Sequence, residues 1–494
     1  MANLIDRVVG YISPSAGLRR HFSRTRLQRA YEAAAPGDKW RPRRSGASAN
    51  ADHQADASAL RSKARSLYQN VPYIRAGLDG RIAAIVGTGI VQRTTGRDAE
   101  AIDQAHKAWA QVCDADGRLD LDGLIAAAER AAAIDGECLI RLRPRLATDN
   151  LPVPLQLQLL EIDWLDSTRN GQGDGSNVIV AGIEYDVLGR VVGYWLWDQH
   201  PGDIGLIGGL RRQSRRVPAS SIIHYFAPER PGQGRGFSRL SSVIPRVRDL
   251  QLYEDAELAR KNLETRLSVV YSGDPDLLSN PGADGSTTNT SGGELGDLPS
   301  GGFTAVPAGS KMEVVAPTAA PGFVEYVKYG IHLIANGMGS TYELCTGDMS
   351  EVNFSSARIR QIDFRRDIEQ HQWLTLVPRL LTPLRRAFID AGVLAGKFSR
   401  NYAVEYSMPK WDYVNPAQEV EADIAEISMG LSTVSEKLRR RGLVPATVFA
   451  EAKADFDTLR STGVLEVLMT IMGRTKIDAS ASAAGPAKPA SGSK

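Results

Sequence analysis

Apolar residues in the first third of the chain recur at the spacing of helices. A helix is predicted from Leu60 to Tyr68, and it ends in the stretch 70–73, which contains Pro72. A second helix follows and stops at residues 87–89, Gly-Thr-Gly. Trp109 and the run 124–134 indicate two more helices. Residues 1–57 carry little such periodicity and are predicted to form a loosely ordered arm.

In the middle of the chain the helical period gives way to alternation. Apolar residues alternate along 137–143 and along 155–159, as expected for strands. Residues 182–198 are typical of a hairpin that turns at Leu188-Gly189-Arg190. Helices first and strands afterwards predict an α+β domain.

A stalk is predicted next. A glycine-rich turn at 228–236, with no side chain suited to chemistry, leads into a charged helical run from Arg239 to Ser268. A polar, glycine-rich insert at 273–302 and a hairpin at 304–315, turning at 308–310, precede a second helical run from Phe323 to Met338. A helix that leaves a domain, passes through an insert and returns as another helix indicates a stalk, not a catalytic pocket.

The last third is predicted to be helical. A very long helix begins near Ser355-Ser356, which suit an N-cap, and it runs to residues 391–392. Pro378 and Pro383 are expected to kink it, because each removes a backbone donor and clashes with the preceding turn. Short helices are predicted at 418–429, 433–441, 445–461 and 464–472, and the tail after Gly473 is predicted to be disordered.

Composition narrows the class of protein. At 494 residues the chain is expected to form two or more domains. Its three cysteines follow no C-x-x-C spacing, which argues for a reducing compartment without disulfides or a structural zinc site. The N-terminus lacks the unbroken apolar stretch of a signal peptide, and the chain lacks an apolar run of about 18 residues. A cytosolic protein is expected.

The formal net charge of +2 hides an asymmetry. Residues 1–44 hold ten Lys or Arg and three acids, which leaves the rest of the chain slightly acidic. Proteins that grip duplex DNA carry a basic footprint on the folded body. Tight phosphate binding by the folded part is therefore not expected, and the basic arm is interpreted as a solvated or assembly-ordered segment.

Two motifs suggest binding of a metal ion or a phosphate, but each lacks a residue that such binding requires. Asp120, Asp122 and Glu129 match an EF-hand loop, but Arg118 stands where its first carboxylate must be, so an Asp-Gly turn capping a helix is preferred. The stretch 392–398 resembles a phosphate loop with one residue too few, and Phe398 replaces the hydroxyl residue that would hold magnesium.

The sequence also lacks the residue patterns that indicate catalytic groups. The seven histidines never pair at ligand spacing, and His224 is interpreted as a strand histidine packed beside aromatics. No G-x-S-x-G elbow occurs. Asp348 and Glu351 could suggest a nuclease metal site, but they have no partner acids and are interpreted as part of a flexible loop. No catalytic, cofactor-binding or metal-binding residue is predicted, and no cofactor.

Taken together, short segments along the chain resemble the lambda-type family of tailed-phage portal proteins, from about Leu60 to Gly463. Each segment by itself is weak evidence for the family, and the resemblance rests on the order and spacing of the segments along the chain. Phe354 and residues 415–419, Asn-Pro-Ala-Gln-Glu, depart mildly from the usual pattern. The segments are Tyr68-Gln69-Asn70-Val71-Pro72-Tyr73, Val86-Gly87-Thr88-Gly89-Ile90, Asp135-Gly136-Glu137, Gly182-Ile183-Glu184-Tyr185-Asp186, Gly189-Arg190, Arg230 to Gly236, Asp348-Met349-Ser350, and Asn353 to Arg358.

The resemblance implies an α+β portal fold divided along the chain. The expected parts are a flexible basic arm (1–58), an α/β wing (59–238), a first stem helix (239–271), a small α/β clip (272–320), a second stem helix (321–343), a tunnel loop (344–354), a wing spine helix and strand (355–411), an all-helical crown (412–473) and a disordered tail (474–494).

The resemblance also implies a function without enzyme activity. It implies a homo-oligomeric ring, typically of twelve subunits, at one vertex of the capsid, assembled in the host cytoplasm. Double-stranded DNA would pass through weakly and without sequence preference. Its other implied partners are the terminase large subunit, a head–tail adaptor, and the major capsid and scaffold proteins, with no membrane.

Two sets of residues are expected to matter in such a ring. The channel loop would present Asp348, Ser350, Glu351 and Asn353 to DNA. The clip would present Asp284, Ser286, Thr287, Glu294 and Asp297 to terminase and adaptor. Two alternatives stay open: another virion ring component, such as an adaptor or tail-tube protein, and a DNA-processing enzyme.

Overall fold

The computed structural model describes residues 46, 48–203, 213–265, 269–272, 311–314, 322–350, 353–399, 402–411, 416–464, 467–468 and 470. The five clip candidates, Glu351, the basic arm up to residue 45, most of the predicted hairpin 304–315 and the tail lie outside these residues. The chain divides into a small unit (1–58 with 228–234) and a large unit (59–227 with 235–494), each of which is described by itself.

The small unit contains the start of helix α1, Ala49–Asn70. This start corrects the prediction of a loose arm to residue 57, because the alanine-rich stretch forms helix without an apolar stripe. The Ser48 hydroxyl accepts the Ala51 N–H, and Asp52 lies in the first turn. Asn50 exchanges hydrogen bonds with the glycine turn, accepting from the Gly234 N–H (2.8 Å) and donating to the Gly232 carbonyl (3.2 Å).

The large unit has its main core between helices and a three-stranded antiparallel sheet, in which the strand 137–144 lies between the strands 155–161 and 222–226. Trp109 is fully buried there, and its indole N–H donates to the Leu155 carbonyl at 2.7 Å. The strands predicted along 137–143 and 155–159 are confirmed, and the structure shows that they pair with each other. The elements are α2 (Pro72–Val86), β1 (Val91–Gly96), α3 (Ala99–Ala110), α4 (Leu121–Asp135), β2 (Glu137–Pro144), β3 (Leu155–Glu161) and β9 (Ile222–Phe226).

In a second, five-stranded antiparallel sheet, the strands lie side by side in chain order. The predicted hairpin is confirmed at its turn, where the Asp186 carboxylate accepts the N–H groups of Leu188 and Arg190, and Gly189 has a φ of 78°. The strands are β4 (Gly171–Gln172), β5 (Val178–Val180), β6 (Ile183–Tyr185), β7 (Val191–Trp197) and β8 (Ser214–Pro218).

The predicted stalk corresponds to α5 (Ile244–Thr265) and α6 (Phe323–Gly337). The first helix begins five residues later than predicted, after turns at 239–243, and strand β10 (Val269–Ser272) follows it. That strand pairs with β11 (Lys311–Val314). The two helices approach closely at a glycine of α6: a Cβ on Gly330 would lie 3.2 Å from a methyl of Leu250 in α5.

The predicted long helix is continuous from 354 to 394. It consists of α8 (Phe354–His371), a π-helical segment (Gln372–Leu381) and α9 (Thr382–Leu394). Pro378 lies inside the π segment and Pro383 follows at the start of α9, so both lie within the continuous helix, as predicted, and each lacks the backbone N–H that a helix interior uses. Strand β12 (Tyr402–Ser407) then pairs with β1.

The C-terminal part of the described chain contains three short helices with defined bounds: α10 (Pro416–Ser428), α11 (Val434–Arg440) and α12 (Pro445–Ser461). Their bounds confirm three of the four predicted helices to within two residues. Within the described ranges, no helix is both long and apolar enough to span a bilayer.

Candidate functional site

The predicted channel loop, residues 344–354, begins within one short helix and ends where a longer helix starts. Helix α7 (Tyr342–Thr346) begins after Thr341, whose hydroxyl accepts the Leu344 N–H. Helix α8 begins after Asn353, whose side chain accepts the Ser356 N–H at 2.8 Å. The N-cap is therefore Asn353 and not the predicted Ser355-Ser356, because Asn353 has the extended backbone that a cap requires.

Asp348 organises the loop through its carboxylate. The Ser350 N–H donates to Oδ1 at 2.9 Å, and the Tyr342 hydroxyl donates to Oδ2 at 3.2 Å. Hydrogen bonds from Ser350 and Tyr342 hold the pKa of Asp348 below its ordinary value. The residue is thus both a turn-former and a fixed negative charge, while the neighbouring Met349 is 63% exposed.

The base of the loop is held by buried contacts with α2. Arg81, 2% exposed, bridges the Gly339 carbonyl and Asp367 of α8, both at 2.5 Å. The Ser340 hydroxyl donates to the Gly77 carbonyl at 3.0 Å. These contacts fix both ends of the segment that carries Asp348.

Position 77 of this base leaves little room for a side chain. A Cβ there would come within 2.3 Å of Met338 Cε and 2.6 Å of Cys345 Sγ.

Arg360 of α8 forms an ion pair with Glu343 of α7. The helices on either side of the loop are therefore joined directly as well as through α2.

Two of the sequence segments that carry the family resemblance meet in the core. Arg235 donates from Nε to both oxygens of Glu137 at 2.8 Å, and Glu137 is fully buried. The Gly236 N–H donates to the same carboxylate at 3.1 Å, and His224 Nε2 lies 2.9 Å from it. The glycine turn thus supplies a charged residue to the core, which the sequence interpretation of that turn missed.

Glycines let these two segments approach. Gly136 has a φ of 94°, and a Cβ on it would lie 2.4 Å from the Phe237 backbone. A Cβ on Gly236 would lie 2.0 Å from the Gly136 carbonyl oxygen. The only signal in the sequence was a glycine beside an acid in one segment and beside an arginine in the other.

Glu129, which the EF-hand spacing singled out, is buried among other partners. The Tyr225 hydroxyl donates to it, and His371 Nε2 lies 3.1–3.2 Å from its two oxygens. Burial raises the pKa of Glu129, but the adjacent His371 and the Tyr225 hydrogen bond outweigh it and leave the pKa below its ordinary value. Asp120 caps α4 by accepting the Gly123 N–H, as the preferred interpretation predicted.

The described residues contain one group with the composition of a metal site: Glu161, Asp163 and His200. Arg65 lies 2.5 Å from Asp163 and 3.2 Å from Glu161, and Arg61 lies 2.7 Å from Asp163. Two guanidinium groups therefore already supply the positive charge that a cation would bring. We interpret the group as an ion-pair network between α1 and the end of β3.

The segment that resembles a phosphate loop has the wrong local structure. Gly392 lies inside α9, and a Cβ on it would be 2.1 Å from the Phe398 ring. A phosphate loop needs free backbone N–H groups ahead of a helix N-terminus. The glycine here is explained by packing.

Residues 36–372 match the family model described as phage portal protein, lambda family. The chain belongs to this family. It is also 25% identical over 439 residues to the probable portal protein of Halomonas phage phiHAP-1 (isolate from the Gulf of Mexico, 2001), covering 84% of this chain and 83% of that protein. The family is one of structural proteins.

Solved structures with some similarity include the neck of an empty gene transfer agent particle: 16% identity, TM-score 0.46, with 79% of this chain and 94% of that one covered. A second is an HK97 family phage portal protein from Corynebacterium diphtheriae: 12% identity, TM-score 0.32, with 73% and 98% covered. At TM-scores below 0.5 these similarities do not establish a shared fold, and the assignment rests on the sequence match.

Proposed function

We propose that this portal protein forms a ring at the unique vertex of the capsid, with twelve copies as the resemblance implies. Double-stranded DNA would pass through its channel during packaging and ejection. Terminase and a head–tail adaptor would dock at the clip, residues 272–320, and the capsid and scaffold proteins would surround the wing. The family match supports the portal role, and the exposed side chains described next support self-association.

The observation that supports self-association is the exposed apolar surface of the two stem helices, α5 and α6. Leu252 and Leu258 of α5 are 57% and 59% exposed, and Val324 and Tyr329 of α6 are 58% and 59% exposed. Burying such side chains stabilises association by about 25 cal/mol per Å² of apolar area. Contact with further copies of the chain would cover them.

Mass measurement tests the ring. The pure protein at micromolar concentration should run as a closed oligomer with an axial hole in negative stain, and a stable monomer at moderate salt would contradict the proposal. Leu258→Asp should shift the protein toward smaller species. Leu188→Asp, at a hairpin turn that is 76% exposed, is the matched control and should leave the ring intact.

The channel loop would act by repulsion. Hydrogen bonds fix the Asp348 carboxylate and hold its pKa below the ordinary value, and copies of this charge around a ring would repel DNA phosphates and keep the duplex centred and mobile. Asp348→Lys, alone or with Glu351→Lys, should leave rings intact and slow packaging. The effect should be strongest at low ionic strength, where screening is weak.

Asp348→Asn separates charge from turn structure. Asparagine can still accept the Ser350 N–H, so the turn should persist while the charge is lost. Packaging by this variant should fall between that of the unmodified protein and Asp348→Lys. Packaging and DNA retention that do not change in any of the three variants would remove the loop from a channel-lining role.

A further inference from the structure

The C-terminal helices leave their apolar side chains in solvent. Val420 and Ile424 of α10 are 37% and 62% exposed, and Phe449 and Phe456 of α12 are 49% and 51% exposed. Neither of these two helices contains a buried residue. Short helices are marginal in water unless an apolar face is packed. These helices therefore need a covering partner.

The charges on α10 and α11 indicate which surfaces of these helices are complementary. Helix α10 carries four acids and no base, and α11 ends in a basic run, Arg439-Arg440-Arg441. Within one chain, Lys437 of α11 binds Asp423 at 2.6 Å and Glu426 at 2.5 Å. One flank of α10 is thus already paired with one flank of α11.

The opposite side of each helix, α10 and α11, carries a charge of the same sign as its paired side. Helical residues are about 100° apart around the axis, so Arg439 projects about 200° from Lys437. By the same geometry, Glu421 projects about 200° from Asp423. Each helix therefore repeats, on its free side, the sign of charge with which it pairs inside the chain.

Arg439 opens onto a groove that suits an acidic helix edge. The groove, about 260 Å³ in volume, lies between the β1–β12 ribbon and α12, and Arg93, Arg439, Pro445 and Phe449 line it together with Glu405. Arg93 lies opposite Glu405 in the pairing of β1 with β12. Among the residues that the structure describes, no ion pair involves the guanidinium group of Arg93 or of Arg439. The groove thus offers two guanidinium groups beside an exposed aromatic ring.

We propose that this groove receives helix α10 of a second copy of the chain. Glu421 would meet Arg439 and Arg93, and Ile424, one turn along the same surface, would cover Phe449. The contact joins different surfaces of the two copies, so it repeats head to tail and closes when the copies form a ring. The inference rests on the proposed ring and names the contact that orders its C-terminal helices.

Mixed single-cysteine rings test the contact. Glu421→Cys and Arg439→Cys subunits, co-expressed and oxidised, should give covalent dimers on a non-reducing gel. Either variant alone should give none. The three native cysteines are buried and unpaired, so their background should be low. Rings that form from the mixture without covalent dimers would overturn the proposal while leaving the portal role standing.

Charge exchange provides a second test with the full chain. Glu421→Arg and Arg439→Glu should each speed amide exchange in α10 and α12 at least tenfold within assembled rings, and the double variant should restore protection. Asp457→Arg, an exposed change on α12, is the control and should have no effect. A double variant that is no better protected than the single ones would also overturn the proposal. Absence of rings from the unmodified chain would instead refute the proposed function.

Discussion

The β3-β2-β9 sheet with its covering helices and the three C-terminal helices are both built from amphipathic segments, but only the former are packed within one chain. Around the sheet, Trp109, Leu380 and Phe388 are at most 1% exposed, and even charged residues such as Glu137 are buried. In α10 and α12 no residue is buried. The first region is packed by residues of the chain itself, and for the second we propose that packing comes from a neighbouring copy in the ring.

Removing a buried charge partner should cause the largest loss. Glu137→Ala leaves Arg235 buried without its carboxylate, and we expect unfolding to be easier by about 3–5 kcal/mol. Arg440→Ala, which breaks an exposed pair with Glu436, should cost at most about 1 kcal/mol. Urea midpoints at one protein concentration measure both. Equal costs would erase the distinction between the two regions.

A matched pair of leucines compares apolar packing directly. Leu380→Ala empties a fully buried position and should cost about 2–5 kcal/mol, because it removes apolar contacts and leaves a cavity. Leu431, between α10 and α11, is 74% exposed, and its replacement by alanine should change unfolding of the dissociated chain by less than about 0.5 kcal/mol. A large cost at Leu431 in the monomer would show that the C-terminal helices pack without partners.

Acid should weaken the core through His106. Burial, with a smaller effect of Arg385, lowers the pKa of His106 to about 3, in a site beside Phe388. The folded pKa lies below the unfolded one, so this stability is present above about pH 6.5 and is lost as pH falls toward 3. The loss should reach at most about 1.4 kcal/mol per pH unit. His106→Phe should flatten the thermal-stability profile between pH 6.5 and 5.

The cap of the long helix should have the smallest effect. Asn353→Ala removes the acceptor for the Ser356 N–H and should cost about 1 kcal/mol, while Asn353→Ser should cost less because its hydroxyl can replace the amide oxygen. Faster amide exchange confined to the first turn of α8 would confirm the cap. Faster exchange as far as the π segment would instead show that the α8 half of the long helix depends on its N-terminus.

Local rules were enough for much of the architecture. Residue spacing predicted α2, the strands β2 and β3, the turn at Gly189 and the bounds of α12, because each depends on neighbours close in sequence. The order of short segments also indicated the family that the match over residues 36–372 then showed. The start of α1 was missed, because alanine-rich helix carries no apolar stripe to detect.

Only tertiary structure decided which polar residues meet. Glu137 and Arg235 are 98 positions apart, and Glu129 and His371 are 242 apart. No periodicity records such pairs, because they form only after the sheet and the long helix have been brought together. Asp348 shows the same division: its charge follows from its residue type, while its fixed position depends on the hydrogen bonds that the folded turn provides.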